Sequence, residues 1–240
     1  MVRRLAVLVC GLTFATATPA LAQVQWTDRA FAGVSAGIQV GTAGVTSTQT
    51  FELYGEEASL LSQQDVKGGL FFDGQFGYRV WNNVAIGVGV TFTQAKADAA
   101  ITGEIPDPVF FSSPRSATTT VADLTHREIW YSALATWVLP VTDKIDVFLS
   151  GGPAFVQVEQ ELPSSATVTE PGPSITDVGL TTFKESGIGF VAAADMRYMI
   201  TSRIGVGALA KFSTASVDFS EGTTMDVGGF QLGAGVRIKF

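Results

Sequence analysis

The sequence predicts an all-β fold: an eight-stranded antiparallel up-and-down β-barrel that crosses a membrane, with short turns at one end and three long loops at the other. Three observations predict it. Eight segments, 31–41, 69–80, 84–94, 128–139, 145–158, 187–200, 204–215 and 224–240, place apolar residues at alternate positions, and successive side chains of a strand point to opposite faces. Their connections alternate strictly between short and long. Apolar residues make up 46% of the chain, yet nothing beyond the N-terminal region approaches the uninterrupted run of about twenty that a transmembrane helix needs. A barrel reconciles these facts by spreading its hydrophobicity over alternate positions.

Taken in order, residues 1–22 have the layout of a cleaved secretory leader: Arg3 and Arg4, an apolar run from Leu5 to Phe14, then Ala20-Leu21-Ala22. Cys10 sits inside that run, and Leu8-Val9 is a poor approach to a lipidation site. Residues 23–240 then form one barrel domain. The second segment puts Leu70, Phe72, Phe76, Tyr78 and Val80 on one face; the third does the same with Val84, Ile86, Val88, Val90 and Phe92. Trp81-Asn82-Asn83 joins these two, residues 140–144 join the fourth and fifth, and Thr201-Ser202-Arg203 joins the sixth and seventh. All three are turn-forming links. Residues 42–67, 95–127 and 159–186 are long polar connections, and 216–223 is a shorter one. In the fifth segment Gly151-Gly152-Pro153 interrupts the alternation, and a bulge is expected there because proline cannot donate to a ladder. The sixth segment aligns Ile188, Phe190, Ala192, Ala194, Met196, Tyr198 and Ile200. The last strand is the clearest, with Phe230, Leu232, Ala234, Val236, Ile238 and Phe240 on one face and Gln231, Gly233, Gly235, Arg237 and Lys239 on the other.

Composition narrows the function. Loss of the leader removes Cys10, the only cysteine, and with it any disulfide or thiolate metal site. It also removes Arg3 and Arg4, so 13 basic residues face 22 acidic ones and the charge is −9. That balance argues against nucleic acid as a partner. Only 15% of residues are charged, against about 25% in soluble domains.

Alternation alone does not say which face meets lipid, since a soluble lipocalin-like barrel turns its apolar face inward. Tyr78, Trp81, Trp137, Tyr198 and Phe240 cluster near the short-turn end, as an interfacial aromatic girdle requires. The opposite face is rich in Gly, Ala and Ser, with isolated charges. On this architecture and the final strand, the chain resembles the small eight-stranded outer-membrane barrels of the OmpA/OmpX type, over essentially all of residues 23–240. The resemblance implies a Gram-negative outer-membrane location and contact with membrane lipid and lipopolysaccharide. It also implies that Phe230, Leu232, Val236, Ile238 and Phe240 act as the signal read by the barrel-assembly machinery.

The inward face is expected to carry Asp73, Gln75, Arg79, Glu128, Asp195, Arg197, Lys211 and Arg237 as a polar network. An eight-stranded barrel is about wide enough for its own side chains, and charges buried there must pair. Counting from the 201–203 turn puts Asp195 opposite Leu209 and diagonal to Lys211, so these two are expected to bridge, with Arg197 or Arg237 joining. The network reads as a plug, with a narrow ion path as the alternative.

His126 is the only histidine. With Ser132 and Glu128 it imitates a base, hydroxyl and carboxylate constellation, but no lipid A enzyme motif accompanies it, and a solvated rim histidine is expected. The apolar trio Val109-Phe110-Phe111 between Pro106, Pro108 and Pro114 is expected to fold back onto the rim, with a partner-anchoring tip as the alternative. The third long loop, with Glu159, Glu161, Glu170 and Asp177, is expected to be acidic and mobile. The expected protein is a non-enzymatic surface barrel without metal or cofactor, serving envelope structure or adhesion through its loops. The alternatives are a small channel and a lipid A-modifying enzyme.

Overall fold

The computed structural model of the chain describes residues 26–40, 43–219 and 223–240; the leader expected at 1–22 lies outside them. Ten strands form one antiparallel sheet: β1 (Ala30–Val40), β2 (Ala43–Leu53), β3 (Glu56–Val66), β4 (Leu70–Trp81), β5 (Val84–Ile105), β6 (Arg115–Pro140), β7 (Ile145–Thr169), β8 (Ser174–Met199), β9 (Ile204–Phe219) and β10 (Thr223–Lys239). Eight of them close a ring. β1 pairs with β4 and β10, and the neighbours from β4 to β10 pair in sequence order. The sequence predicts eight strands, and the additional two, β2 and β3, are a hairpin. It continues the wall beyond the end of β4, with β3 laid along β5 from Ser59↔Glu104 to Val66↔Ala97.

The three long connections are therefore not loops but extensions of the wall. β5 and β6 stay paired as far as Ile105↔Arg115, and β7 and β8 as far as Thr169↔Ser174. The acidic third connection, expected to be a mobile loop, is a paired hairpin. The reason is visible along β5. Outward, Val84, Ile86, Val88, Val90 and Phe92 give way to Gln94, Lys96 and Asp98; inward, Thr91 and Thr93 give way to Ala95, Ala97, Ala99, Ile101 and Ile105. Parity is constant while polarity reverses. Below the crossover the apolar side faces outward to lipid, and above it the apolar side faces inward, as in any water-soluble sheet.

Inside the upper wall, Leu60, Ile101, Ile105, Leu124, Trp130, Val158, Leu162, Val217 and Met225 share one buried apolar core. Each large side chain buried there contributes about 1.5–3 kcal/mol. This core is what holds the extensions together as a cap.

The expected bulge at Gly151-Gly152-Pro153 is absent. β7 keeps its register against β8 through Gly151↔Ala192, Gly152↔Val191 and Pro153↔Phe190. On its other side the pairing with β6 lapses between Ser132↔Ala154 and Ala135↔Gly151 and resumes unshifted. Proline removes a donor without adding a residue, so a bond is lost and facing is kept. The shifts in β7 come later, between Pro163 and Ser165 and between Thr167 and Val168.

Candidate functional site

The lumen is filled in layers, each set by inward positions of several strands. At the short-turn end Trp26, which precedes β1, is 2% exposed and closes the mouth. Its ring packs edge-on to Phe148 at 5.7 Å and lies 6.3 Å from Phe31, and those two rings meet at 4.8 Å. Gly77 makes this possible, since a Cβ there would lie 2.4 Å from the Phe31 ring. The Arg197 guanidinium sits 3.5 Å from the Phe148 centroid and 4.5 Å from that of Phe31, so two ring faces receive its charge. Arg79 donates to the Trp26 carbonyl, and Lys239 bridges Asp146 and, at 3.3 Å, Asp28.

The next layer is centred on Asp195. It accepts from Arg197 Nε at 2.8 Å, from Arg237 Nη2 at 2.8 Å and from Gln75 Nε2 at 3.0 Å. Arg237 also donates to the Val34 carbonyl at 3.0 Å. Above it, Lys211 Nζ lies 2.6 Å from Asp73 Oδ2, which also accepts from Thr91 Oγ1 at 2.8 Å. The expected Asp195–Lys211 bridge does not form. The register is the one counted, Asp195↔Leu209, but Lys211 reaches across the lumen, while Asp195 takes Arg197 of its own strand and Arg237 of β10. Asp73 on β4 meets Lys211 on β9, and Gln75 on β4 meets Asp195 on β8.

A layer of amides follows, where Gln39 Oε1 accepts from Gln231 Nε2 at 2.7 Å and Thr93 Oγ1 at 3.1 Å. The top polar layer holds His126, 1% exposed and so buried, not a solvated rim residue. Its Nδ1 lies 2.6 Å from Gln160 Oε1 and its Nε2 2.8 Å from Glu128 Oε1. Gln160 Nε2 donates to Gln64 Oε1 at 2.7 Å, and Glu128 also accepts from Trp130 Nε1 at 2.7 Å and from the Gly228 amide at 3.2 Å. Both ring nitrogens thus face oxygens. Ser132 Oγ instead donates to the Gly89 carbonyl at 3.2 Å. His126 and Ser132 thus have separate partners and are not paired with each other.

Outside the lumen, Tyr78, Trp81, Trp137, Tyr198 and Phe240 are exposed near the short turns. Phe230, Leu232, Val236 and Ile238 are outward on β10, which pairs with β1 and β9. A second band, Phe72, Tyr131, Phe155, Phe190, Phe212 and Phe230, is exposed at the other edge of the apolar wall. Its signal in the sequence is that these are outward aromatic residues close to the point where polarity reverses. On β8, the eight residue steps from Phe190 to Tyr198 rise about 20 Å at ordinary strand tilt, close to the ~25 Å apolar band of such barrels.

Three hairpin ends meet at the far tip. Arg115 contacts Asp107 Oδ2 at 3.2 Å and Glu170 Oε2 at 2.9 Å, and Glu56 Oε1 accepts from the Ser112 amide at 2.8 Å. Asp107 Oδ1 accepts from the Val109 and Phe110 amides at 2.8 and 3.0 Å. These amides, and then Arg115, hold its carboxyl below the usual value, while Glu170 raises Arg115. Val109, Phe110 and Phe111 do not fold onto the rim; they stand 71%, 68% and 75% exposed.

A family model described as an outer membrane protein beta-barrel domain matches residues 7–237. No curated protein matches the chain. Among solved structures it is similar to Neisserial surface protein A (14% identity, TM-score 0.47, 88% of this chain and 97% of that one). It is also similar to the outer membrane protein OprG from Pseudomonas aeruginosa (12%, 0.42, 89% and 96%) and to the outer membrane protease OmpT from Escherichia coli (11%, 0.43, 90% and 98%).

Proposed function

Because the chain belongs to the outer membrane protein β-barrel domain family, of the Gram-negative outer membrane, we propose that it is a closed, non-enzymatic barrel presenting a rigid extracellular cap for contact outside the cell. One observation carries the reading: side chains fill the lumen from Trp26 through the Asp195, Asp73–Lys211 and His126 layers to the apolar core of the cap. The tip supports the second half. Three exposed apolar side chains are held by hydrogen bonds from three hairpins, and an apolar surface fixed in advance loses little entropy on binding. In this reading residues 1–22 direct export and are removed, and the outward face of β10 is read by the barrel-assembly machinery.

Osmotic swelling of proteoliposomes tests closure. Swelling no faster in arabinose than in protein-free liposomes supports a plug; rapid swelling with folded protein supports the channel alternative. Replacing Val109, Phe110 and Phe111 together by Ser, on cells expressing the protein, tests the tip. Loss of surface attachment with unchanged folding supports the contact role, and unchanged attachment removes it.

A further inference from the structure

The tip that carries Val109, Phe110 and Phe111 is strongly acidic. Residues 48–62, 101–120 and 164–182 are the upper parts of the three hairpins that meet there. In them Glu52, Glu56, Glu57, Glu104, Asp107, Glu170 and Asp177 face one cation, Arg115. Arg115 is already engaged, by Asp107 and Glu170. Lys67, Lys96, Arg127 and Lys184 stand lower on the wall, paired with Asp98, Asp123 and Glu159. The described ion pairs of the cap therefore leave Glu52, Glu57 and Glu104 without a cation.

Strand register sets these three in a row. Glu52 on β2 faces Glu57 on β3 directly. Glu104 on β5 faces Ser59, two residues along β3 from Glu57. All three are exposed. Like charges directly opposite each other on a strand pair are destabilising, so the row costs the free protein stability that a bound cation returns.

The row adjoins the apolar trio. Glu56 accepts from the Ser112 amide at 2.8 Å, which ties the β2–β3 turn to the segment bearing Phe110 and Phe111. With Thr50, Phe51, Glu52, Gly55 and Glu57, Glu56 also lines an open hollow of about 360 Å3. Phe51 gives that hollow an apolar wall and the three glutamates give it charge. A lysine side chain, with an apolar stem and a cationic end, satisfies both.

We propose that the tip binds a basic amphipathic polypeptide segment. Its apolar side chains cover Val109, Phe110 and Phe111, and its lysines or arginines meet Glu52, Glu56, Glu57 and Glu104. The proposal rests on the contact role given to the tip above and names the chemistry of the partner. Charge complementarity selects that partner: a polyanion or an anionic lipid surface is repelled by the row, and a neutral apolar partner leaves the row unpaired.

The test is binding of a fluorescent lysine/leucine peptide to the full mature barrel in phosphatidylcholine nanodiscs, read by anisotropy against empty nanodiscs. A counterpart peptide with every lysine replaced by glutamine is measured beside it. The lysine peptide is expected to bind about ten-fold more tightly, several exposed charge contacts each adding a little. E52Q/E57Q/E104Q is expected to lose that preference and keep binding of the glutamine peptide, whereas V109S/F110S/F111S is expected to lose both. Equal binding of the two peptides by the unsubstituted protein overturns the basic partner and leaves the apolar contact standing. Binding of neither peptide overturns the proposal without any variant, so a fold defect in a variant does not shelter it. A preference retained by E52Q/E57Q/E104Q overturns the assignment to the row. Undiminished binding of both peptides by V109S/F110S/F111S overturns the contact role of the tip, and the proposal with it.

Discussion

Asp73 on β4 and Lys211 on β9 sit on opposite walls of the barrel and meet across its lumen at 2.6 Å, both almost fully buried. The bridge is a crossbar. Removing one end leaves the other as an unpaired buried charge, at a cost of about 3–5 kcal/mol. Lys211→Met is expected to lower the urea midpoint of the heat-modifiable folded form accordingly. Adding Asp73→Leu to it is expected to recover most of the loss, because a desolvated pair is roughly balanced by apolar groups of similar size.

Gly207 lies under the Asp195–Arg237 pair. A Cβ there would stand 2.8 Å from Arg237 Nε and 3.0 Å from Asp195 Oδ1, whereas a Cβ on Gly74 meets nothing within 4 Å. Gly207→Val is expected to destabilise the barrel by about 1–3 kcal/mol through overpacking, and Gly74→Ala to be neutral. Chemical denaturation of both, side by side, checks the contrast.

For His126 the expected outcome is structural. His126→Ala removes a buried hydrogen-bond partner from Glu128 and from Gln160, a loss of about 1–3 kcal/mol. Lipid A from cells carrying the variant is expected to keep its mass. A changed mass would make His126 catalytic.

How much of this was legible in the sequence follows from which residues carried a period. The ring was legible because its outward residues are large and apolar at alternate positions, as in Phe230 to Phe240. The cap was not: its inward side is Ala95, Ala97 and Ala99, too small to stand out against polar outward neighbours, so strands read as polar loops. Trp26 precedes any alternating segment, and nothing local marks it as a stopper. The lumen charges were found by parity, but their partners were not, since register names neighbours along the wall while Asp73 and Lys211 meet across it. Burial of His126 depends in the same way on a cap that the pattern hid.

Acid is expected to loosen the tip. Asp107 is held below its usual value by the Val109 and Phe110 amides and by Arg115. A lowered carboxyl contributes stability above its unfolded value and loses it as pH falls through the folded one. Amide protection at Val109 and Phe110, corrected for intrinsic exchange, is expected to be constant from pH 7 to about 5 and to collapse below the ordinary carboxylate range near 4. Protection that persists at pH 2 would mean that the ion pairs of Arg115 do not hold the tip.

The closed lumen is tested most directly by recording from single barrels in a planar lipid bilayer, with folded insertion confirmed by heat-modifiability. Trp26, the Asp195 cluster, the Asp73–Lys211 crossbar and the His126 layer together predict a silent membrane. Reproducible unitary current steps, altered by substitution at Asp73 or Lys211, would contradict the plug and make those same residues the lining of a pore.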